Sequence, residues 1–476
     1  MSQFNRLETL RVIGSISVQL FNSHNNISKL GDVPVRQDIL CDFAFKVIKY
    51  CDDTSKTEMS EAQLELAIRM CHKLFDATFE QAQSKDGIEI LTKIAYRQFI
   101  FQQNNFNIFA RNYYLYTDLW GRVASARSIE IASEIENEIG VPYDYALLFA
   151  YALTGNKHGH FWIYTEKEIS GINEKTGLFL TVNSHKKFVR WCSGTYDEII
   201  HQNTQLPPFV RYPIVETKSK PLTHKGEVYV IISQQFLHDK LTSGLYYYLI
   251  ERFNKGGKKN KFKEVFGQVF QEYIGELLRY YFSSWKVVPE IRYKKASKQF
   301  QDSVDWFVVK DDKLIMIEVK QSSIFLKSKQ NPSTDEIISD LRKTIIHAVT
   351  QLKITKADIK EKKYPELHSF DNINDFVMLI VVNDPLFNAN FIVKNLVKEE
   401  INDLTFQVIN INDFETLLSS QKTSESLFDI LYYKATNYNE IDFNEYICSI
   451  FPDARSDIDF LIPTWDRFFK MKLNIE

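Results

Sequence analysis

At 476 residues, with 44% hydrophobic and 25% charged side chains, the chain is long enough for two or three domains that each bury a core. A small scaffold held by disulfide or metal staples is excluded. With 16 Gly, 12 Pro and a formal net charge of −3, long linkers and a global basic field are excluded too, so any nucleic-acid contact must come from a local patch.

The N-terminus carries Arg6, Glu8 and Arg11 where a signal peptide would be apolar, and no later stretch approaches 18 uninterrupted apolar residues. The 5 cysteines include no CxxC pair, which argues against a disulfide framework and a cysteine-ligated zinc. The expectation is a cytoplasmic protein in a reducing compartment, with no membrane contact.

Residues 61–153 place apolar side chains at helical spacing, as at Leu64, Ile68, Cys71 and Phe75 and again at Ile131, Ile135 and Ile139. The first region is therefore predicted to be mainly helical. The aromatic run at 99–120 offers rings that could stack bases, but packing of a helix pair is its expected role. Lys157, His158 and His160 lie in a loop without a nearby carboxylate and read as structural. Strands are predicted at 161–164 and 178–182, two extended segments within 212–233, and a helix at 235–253.

Residues 254–263 hold the only Gly-Gly pair and a dense basic run, which predicts a boundary there. The expected division is 1–253, 258–420 and a helical extension at 421–476. Lys258, Lys259, Lys261 and Lys263, with Lys294, Lys295 and Lys298 further on, form the local basic patch that would contact phosphates.

An amphipathic helix over 261–282 carries the polar row Glu264, Gln268, Glu272 and Glu276. A strand at 285–291 follows. Two further strands, 304–310 and 313–320, are separated only by Asp311 and Asp312, which predicts a hairpin. That turn would oppose Val309 to Leu314, Phe307 to Met316 and Asp305 to Glu318. Opposed carboxylates repel unless a positive group lies between them, and a divalent cation is the natural candidate. Alternation along the strand puts Glu318 and Lys320 on one face and Val319 on the other. Two carboxylates suit Mg²⁺ or Mn²⁺, and a lysine beside them can orient water and offset charge building on a phosphate.

These residues resemble the PD-(D/E)XK nuclease superfamily: Glu272 in FGQVFQEYIGELL, Asp305 in DSVDWFVV, and Glu318 with Lys320 in IEVK. The resemblance covers about 258–420. It implies a restriction-endonuclease-like α/β/α sandwich: a helix, three antiparallel strands, a crossover helix and a further strand. The order continues with a capping box at Ser333 and Glu336, a helix to about 359, a strand at 377–382, a helix near 393–398 and a strand at 406–411. It further implies catalysis by Asp305, Glu318, Lys320 and Glu272, with metal at Asp305, Glu318 and Val319. Gln351 resembles the crossover-helix glutamine of several subfamilies, and His347 lies one turn earlier. The chain departs from the family name in having Ser303-Val304 before Asp305, with Asp302 nearby. Glu264, Glu272 and Glu276 share one polar row, and Glu272 is favoured for its FQEY string.

The expected fold class is α/β (α+β), and the expected function is Mg²⁺- or Mn²⁺-dependent hydrolysis of phosphodiester bonds, in DNA before RNA. The layout of 212–282 looks like that of large bacterial restriction-like proteins, some linked to defence against phage. That likeness implies action on phage or foreign DNA, with a phage-derived trigger or a homo-oligomer as partner. Two other functions use the same residues: a catalytically silent nuclease fold that binds nucleic acid or a partner, and an RNase toxin. No Walker A string is present, so the chain is not expected to drive translocation itself.

Overall fold

The computed structural model describes residues 1–22, 27–80, 106–154, 156–202, 208–217, 227–254, 259–296, 299–321, 334–370, 373–383, 390–391, 394, 405–421, 423–452 and 458–473. The chain is a mixed α/β protein in which helices surround several sheets. Among the described residues no helix is long and apolar enough to cross a membrane.

In the first 253 residues, helices flank a four-stranded sheet built from His160–Phe161, Tyr229–Ile231, Ile214–Glu216 and Ser193–Thr195, in that spatial order. Residues 178–182 form no strand, contrary to the alternation of Leu178 and Leu180. Thr181 instead caps helix Val182–Cys192, accepting the Ser184 N–H at 3.0 Å while Ser184 Oγ accepts the Thr181 N–H at 2.9 Å. The helix expected at 235–253 is two, Gln234–Leu241 and Ser243–Arg252, because Thr242 leaves helical geometry between them. The described part of the aromatic run is core: Phe109, Tyr113, Tyr114, Tyr116 and Trp120 are buried, while 99–105 lie outside the described residues.

The second half opens with α1 (Lys261–Tyr281), whose Asn260 side chain accepts the Lys263 N–H at 3.0 Å as an N-cap. Its stripe from Phe262 to Leu278 is buried. Next come β1 (Lys286–Pro289), β2 (Arg292–Ala296), β3 (Gln299–Asp302), β4 (Trp306–Lys310) and β5 (Lys313–Lys320). Then follow α2 (Thr334–Lys360), β6 (Asp375–Val382), β7 (Gln407–Asn410), α3 (Ile411–Ser419) and α4 (Ser424–Asn437). Ser333, the side chain of Glu336 and most of the helix expected near 393–398 lie outside the described residues.

The main sheet runs β7-β6-β5-β4-β1, with β4 antiparallel to both β1 and β5 and with β5, β6 and β7 parallel. The β2–β3 hairpin, read in the sequence only as part of a basic patch, stands apart from it. Both faces of the main sheet are apolar and covered, as parallel strands require. Trp306, Val308, Ile315 and Ile317 pack with α1, whereas Phe307, Val309, Leu314 and Met316 pack with Ile345, Val349 and Leu352 of α2. At Gly275 a Cβ would stand 2.1 Å from Trp306 Cζ2, so glycine lets α1 settle onto β4.

The stretch expected to divide the chain does not divide its core. One continuous apolar cluster joins Phe109 and Phe149 to Phe270, Leu379 and Phe468. Arg111, near the start of that cluster, donates to Glu415 at 2.6 Å on α3, and Tyr273 of α1 donates to the other Glu415 oxygen at 2.6 Å. Arg111 and Glu415 are both buried, so a fully desolvated ion pair links the two halves.

Candidate active site

The β4–β5 turn is the predicted one, with Lys310 opposite Lys313 and Asp311 in the left-handed region at φ 52°. Aspartate tolerates that conformation better than most residues. The register runs on to Trp306 opposite Ile317, which brings Asp305 to Glu318 at the end of the ladder. The Val319 amide donates to Asp305 Oδ2 at 2.6 Å, fixing the carboxylate against β5. Val319 thus enters the site through its backbone, while its side chain belongs to the α1 face.

Glu318 is 4% exposed, and its Oε1 accepts Lys320 Nζ at 2.5 Å. Its other oxygen, Oε2, is buried with no hydrogen-bond partner among the described residues, although the Asp305 backbone N–H lies near enough to the carboxylate to pull its pKa down. An orphaned carboxylate oxygen costs the full loss of its hydration and calls for a cation or a proton. Burial, then the Glu318 charge, raises the pKa of Asp305; burial also raises that of Glu318, against the pull of Lys320.

A third carboxylate completes the row. Pro289 pairs with Trp306, so Glu290 follows at the edge of β4, beside Asp305. Burial and the charges of Asp305 and Asp302 push Glu290 up to about 7, although its surface stays open to solvent and screening works against that rise. Nothing in the sequence pattern singled out Glu290 as a site residue. Its signal was the position at the end of the 285–291 strand, readable only once that strand is paired with β4.

The segment entering Asp305 is held by α2. Gln351 Nε2 donates to the carbonyl of Ser303 at 3.0 Å and also to that of Asp302. Thr355, one turn on, accepts the Val304 N–H at 3.1 Å. On the other side Ser303 N–H reaches the Ile291 carbonyl at 2.9 Å, and Ser303 Oγ accepts the Ile291 N–H at 2.8 Å. Gln351 therefore acts on the backbone that presents Asp305. Asp302 itself is exposed and faces Arg292 at 3.5 Å.

Beside Lys320 opens a cleft of ≈ 650 Å³ between α1, α2 and the end of β5. Lys259, Lys263, Glu264, Gln268, Gln321 and His347 line it with Lys320. Asp305 and Glu318 are not on its wall; Lys320 is the member of the trio that reaches it. Burial and the Lys320 ammonium lower the His347 pKa.

Glu272 is not on this wall. Its carboxylate pairs with Arg279 at 2.8 Å, and Arg279 lies over the Trp306 ring at 4.8 Å. Glu276 pairs with Arg122 at 2.8 Å and accepts from the Tyr114 hydroxyl. The different directions of these glutamates follow from helix geometry: four residues turn about 400°, so an i, i+4 row drifts by about 40° per step. Glu264 thus faces the cleft, while Glu276 has turned to the N-terminal region.

The basic patch is divided in the same way. Lys259, paired with Glu264 at 3.7 Å, and Lys263 line the cleft, but Lys261 donates to the Ser128 carbonyl at 3.0 Å. Lys294 is exposed on β2. Lys258 and the side chains of Lys295 and Lys298 lie outside the described residues.

Gln321 ties the cleft together. Its Nε2 donates to the Lys263 carbonyl at 2.6 Å, and its Oε1 accepts the Tyr246 hydroxyl at 3.1 Å. A Cβ at position 267 would stand 2.1 Å from Gln321 Nε2, so Gly267 is what lets this side chain lie against α1.

Among the described residues, no three His, Cys, Asp or Glu side chains are grouped to hold a metal ion. Glu290, Asp305 and Glu318 stand in a row across three strands. Two hard oxygen donors with one unpartnered oxygen nevertheless fit Mg²⁺, which keeps most of its waters and needs only one or two protein carboxylates. Comparison with protein-family models, curated proteins and solved structures returns no match for this chain.

Proposed function

We infer that the chain is a metal-dependent nuclease hydrolysing phosphodiester bonds, with DNA as its substrate. The observation that carries this reading is the buried, unpartnered Glu318 Oε2 beside Asp305 and Lys320. Supporting it are the order helix, three antiparallel strands, long helix and parallel strand, and the E-V-K string on β5, which together resemble the PD-(D/E)XK superfamily. The cleft lies at the carboxyl end of β5, where open α/β sheets bind ligands.

In this reading Asp305 and Glu318 hold Mg²⁺ or Mn²⁺. When bound, such a cation lowers the pKa of a coordinated water and neutralises the phosphate. Lys320 exchanges its pairing with Glu318 for the attacking water and offsets charge on the scissile phosphate. Lys259 and Lys263 hold flanking phosphates without reading bases. Gln351 and Thr355 keep Asp305 in place, and Tyr246 with Gln321 connects the first region to the site, consistent with control by a phage-derived trigger or by self-association.

The test is cleavage of plasmid, linear DNA and RNA in Mg²⁺ or Mn²⁺ by the wild type and Lys320→Ala. Cleavage of DNA that Lys320→Ala loses is the expected result. Binding without cleavage in either metal would transfer the chain to the silent nucleic-acid-binding class, and cleavage of RNA alone to the RNase class.

A further inference from the structure

A second and larger cavity lies in the N-terminal region, ≈ 1150 Å³, over the sheet edge that carries His160. Its walls supply rings from Trp162, Tyr164 and Tyr229 and cations from Arg11, Lys186 and Arg190. We propose that this cavity binds a nucleotide, stacking the base on its aromatic wall and seating the phosphate at Lys186 and Arg11.

The polar groups are built into the fold. Arg11 donates to His160 Nε2 at 3.1 Å, and the other ring nitrogen meets the His158 carbonyl at 3.0 Å. Since arginine only donates, His160 Nε2 accepts and Nδ1 carries the proton, so the imidazole is neutral and serves to aim the guanidinium. Burial lowers the His160 pKa in the same sense. Asn156 closes the loop, donating to the His160 carbonyl at 2.7 Å and accepting the His158 N–H at 2.9 Å.

Across the sheet, Phe161 pairs with Tyr229 and Tyr229 with Glu216, so two rings and a carboxylate form one cross-strand row. Glu216, held at 3.4 Å from Arg190, has its pKa raised by burial and by Glu227. Such a pair of carboxylates accepts the amino group of a base or the hydroxyls of a ribose. Arg190 is committed to Glu198 at 2.6 Å, and Arg11 also bonds Glu8 at 3.1 Å. Lys186, one turn before Arg190, is exposed and has no ion pair among the described residues, which leaves it for an anion. Four rings among polar side chains of both signs give this cavity the mixed lining that a base, a ribose and a phosphate together require.

The test is isothermal titration of the full chain, in EDTA, with AMP, ATP, adenosine and inorganic phosphate. AMP or ATP should bind at least about tenfold more tightly than adenosine or phosphate, because ring and anion are held together. Lys186→Ala, at an exposed position, should weaken AMP about five- to tenfold with an unchanged melting temperature, whereas Lys320→Ala should leave binding intact. Absence of nucleotide binding at about 1 mM, an unaltered affinity in Lys186→Ala, or loss of binding in Lys320→Ala would each overturn the proposal. Loss of binding in Lys320→Ala would place the nucleotide in the cleft beside Lys320 and so support the nuclease site; the other outcomes leave the nuclease reading untouched.

Discussion

The Tyr246 hydroxyl donates to Gln321 at 3.1 Å, so a helix of the first region touches the residue that follows Lys320. Gln321 is held from the other side by the Lys263 carbonyl and fits because residue 267 has no side chain. Tyr246→Phe removes only the hydroxyl. It should lower the cleavage rate by about threefold to tenfold, leave Mn²⁺ affinity unchanged and add disorder at Lys320 rather than unfold the chain. Gly267→Ala should do the same more severely by displacing Gln321. Single-turnover rates at saturating metal check both, and a rate unchanged in Gly267→Ala would remove Gln321 from the argument.

Asp305→Asn and Glu318→Gln should each weaken Mn²⁺ binding by at least about tenfold, since each removes one of two charged ligands. Lys320→Ala should retain Mn²⁺ while losing most of the rate, because its charge acts on the water and the phosphate. Calorimetric Mn²⁺ titration separates the two classes. Unchanged affinity in both carboxylate variants would falsify the paired-ligand assignment.

Glu290 and Asp305 both have folded pKa values above their unfolded ones, Glu290 at about 7. A carboxyl shifted upward binds its proton more tightly in the folded chain. Its stabilising contribution is full below the unfolded value near 4 and is lost as pH rises through about 7. The metal-free protein should therefore melt at a lower temperature at pH 8 than at pH 5.5. Mn²⁺ should restore stability at pH 8, and its affinity should rise across the same window as it displaces protons. Glu290→Gln should flatten the pH dependence, which thermal melts with and without Mn²⁺ would reveal.

Thr355→Val leaves the buried Val304 N–H without an acceptor, at a cost of about 1–3 kcal/mol. Gln351→Ala releases the carbonyls of Asp302 and Ser303 and should cost less, because Gln351 is only partly buried. Chemical denaturation measures the difference. A Thr355→Val chain as stable as wild type would mean that water replaces the hydroxyl there.

A fragment beginning near residue 258 is expected from sequence to bind DNA while being poorly active or poorly regulated without the first 250 residues. The continuous core and the Arg111–Glu415 pair argue otherwise: cutting there exposes one face of α1 and strands Glu415, uncompensated, among apolar neighbours. Breaking such a pair costs about 3–5 kcal/mol before the lost apolar contacts are counted. The fragment should fail to unfold cooperatively, and Arg111→Met should destabilise the full chain by a similar few kcal/mol. A cooperative calorimetric transition from the isolated fragment would show that the halves fold independently.

Local pattern alone determined the β4–β5 hairpin, its two-residue turn and the grouping of Asp305, Glu318 and Lys320 on one face. These depend on strand alternation and turn length, which act over a few residues. The same locality explains α1 and the strands at 375–382 and 407–410, whose apolar periods match their environment. What only the tertiary structure decided concerns partners distant in sequence. Glu290 joins the site because β1 pairs with β4, and Glu272 leaves the cleft because an i, i+4 row drifts around its helix until Arg279 captures it. Phe109 and Phe270, on either side of the boundary expected at 254–263, bury in one core, a consequence of hydrophobic packing that composition along the chain does not encode.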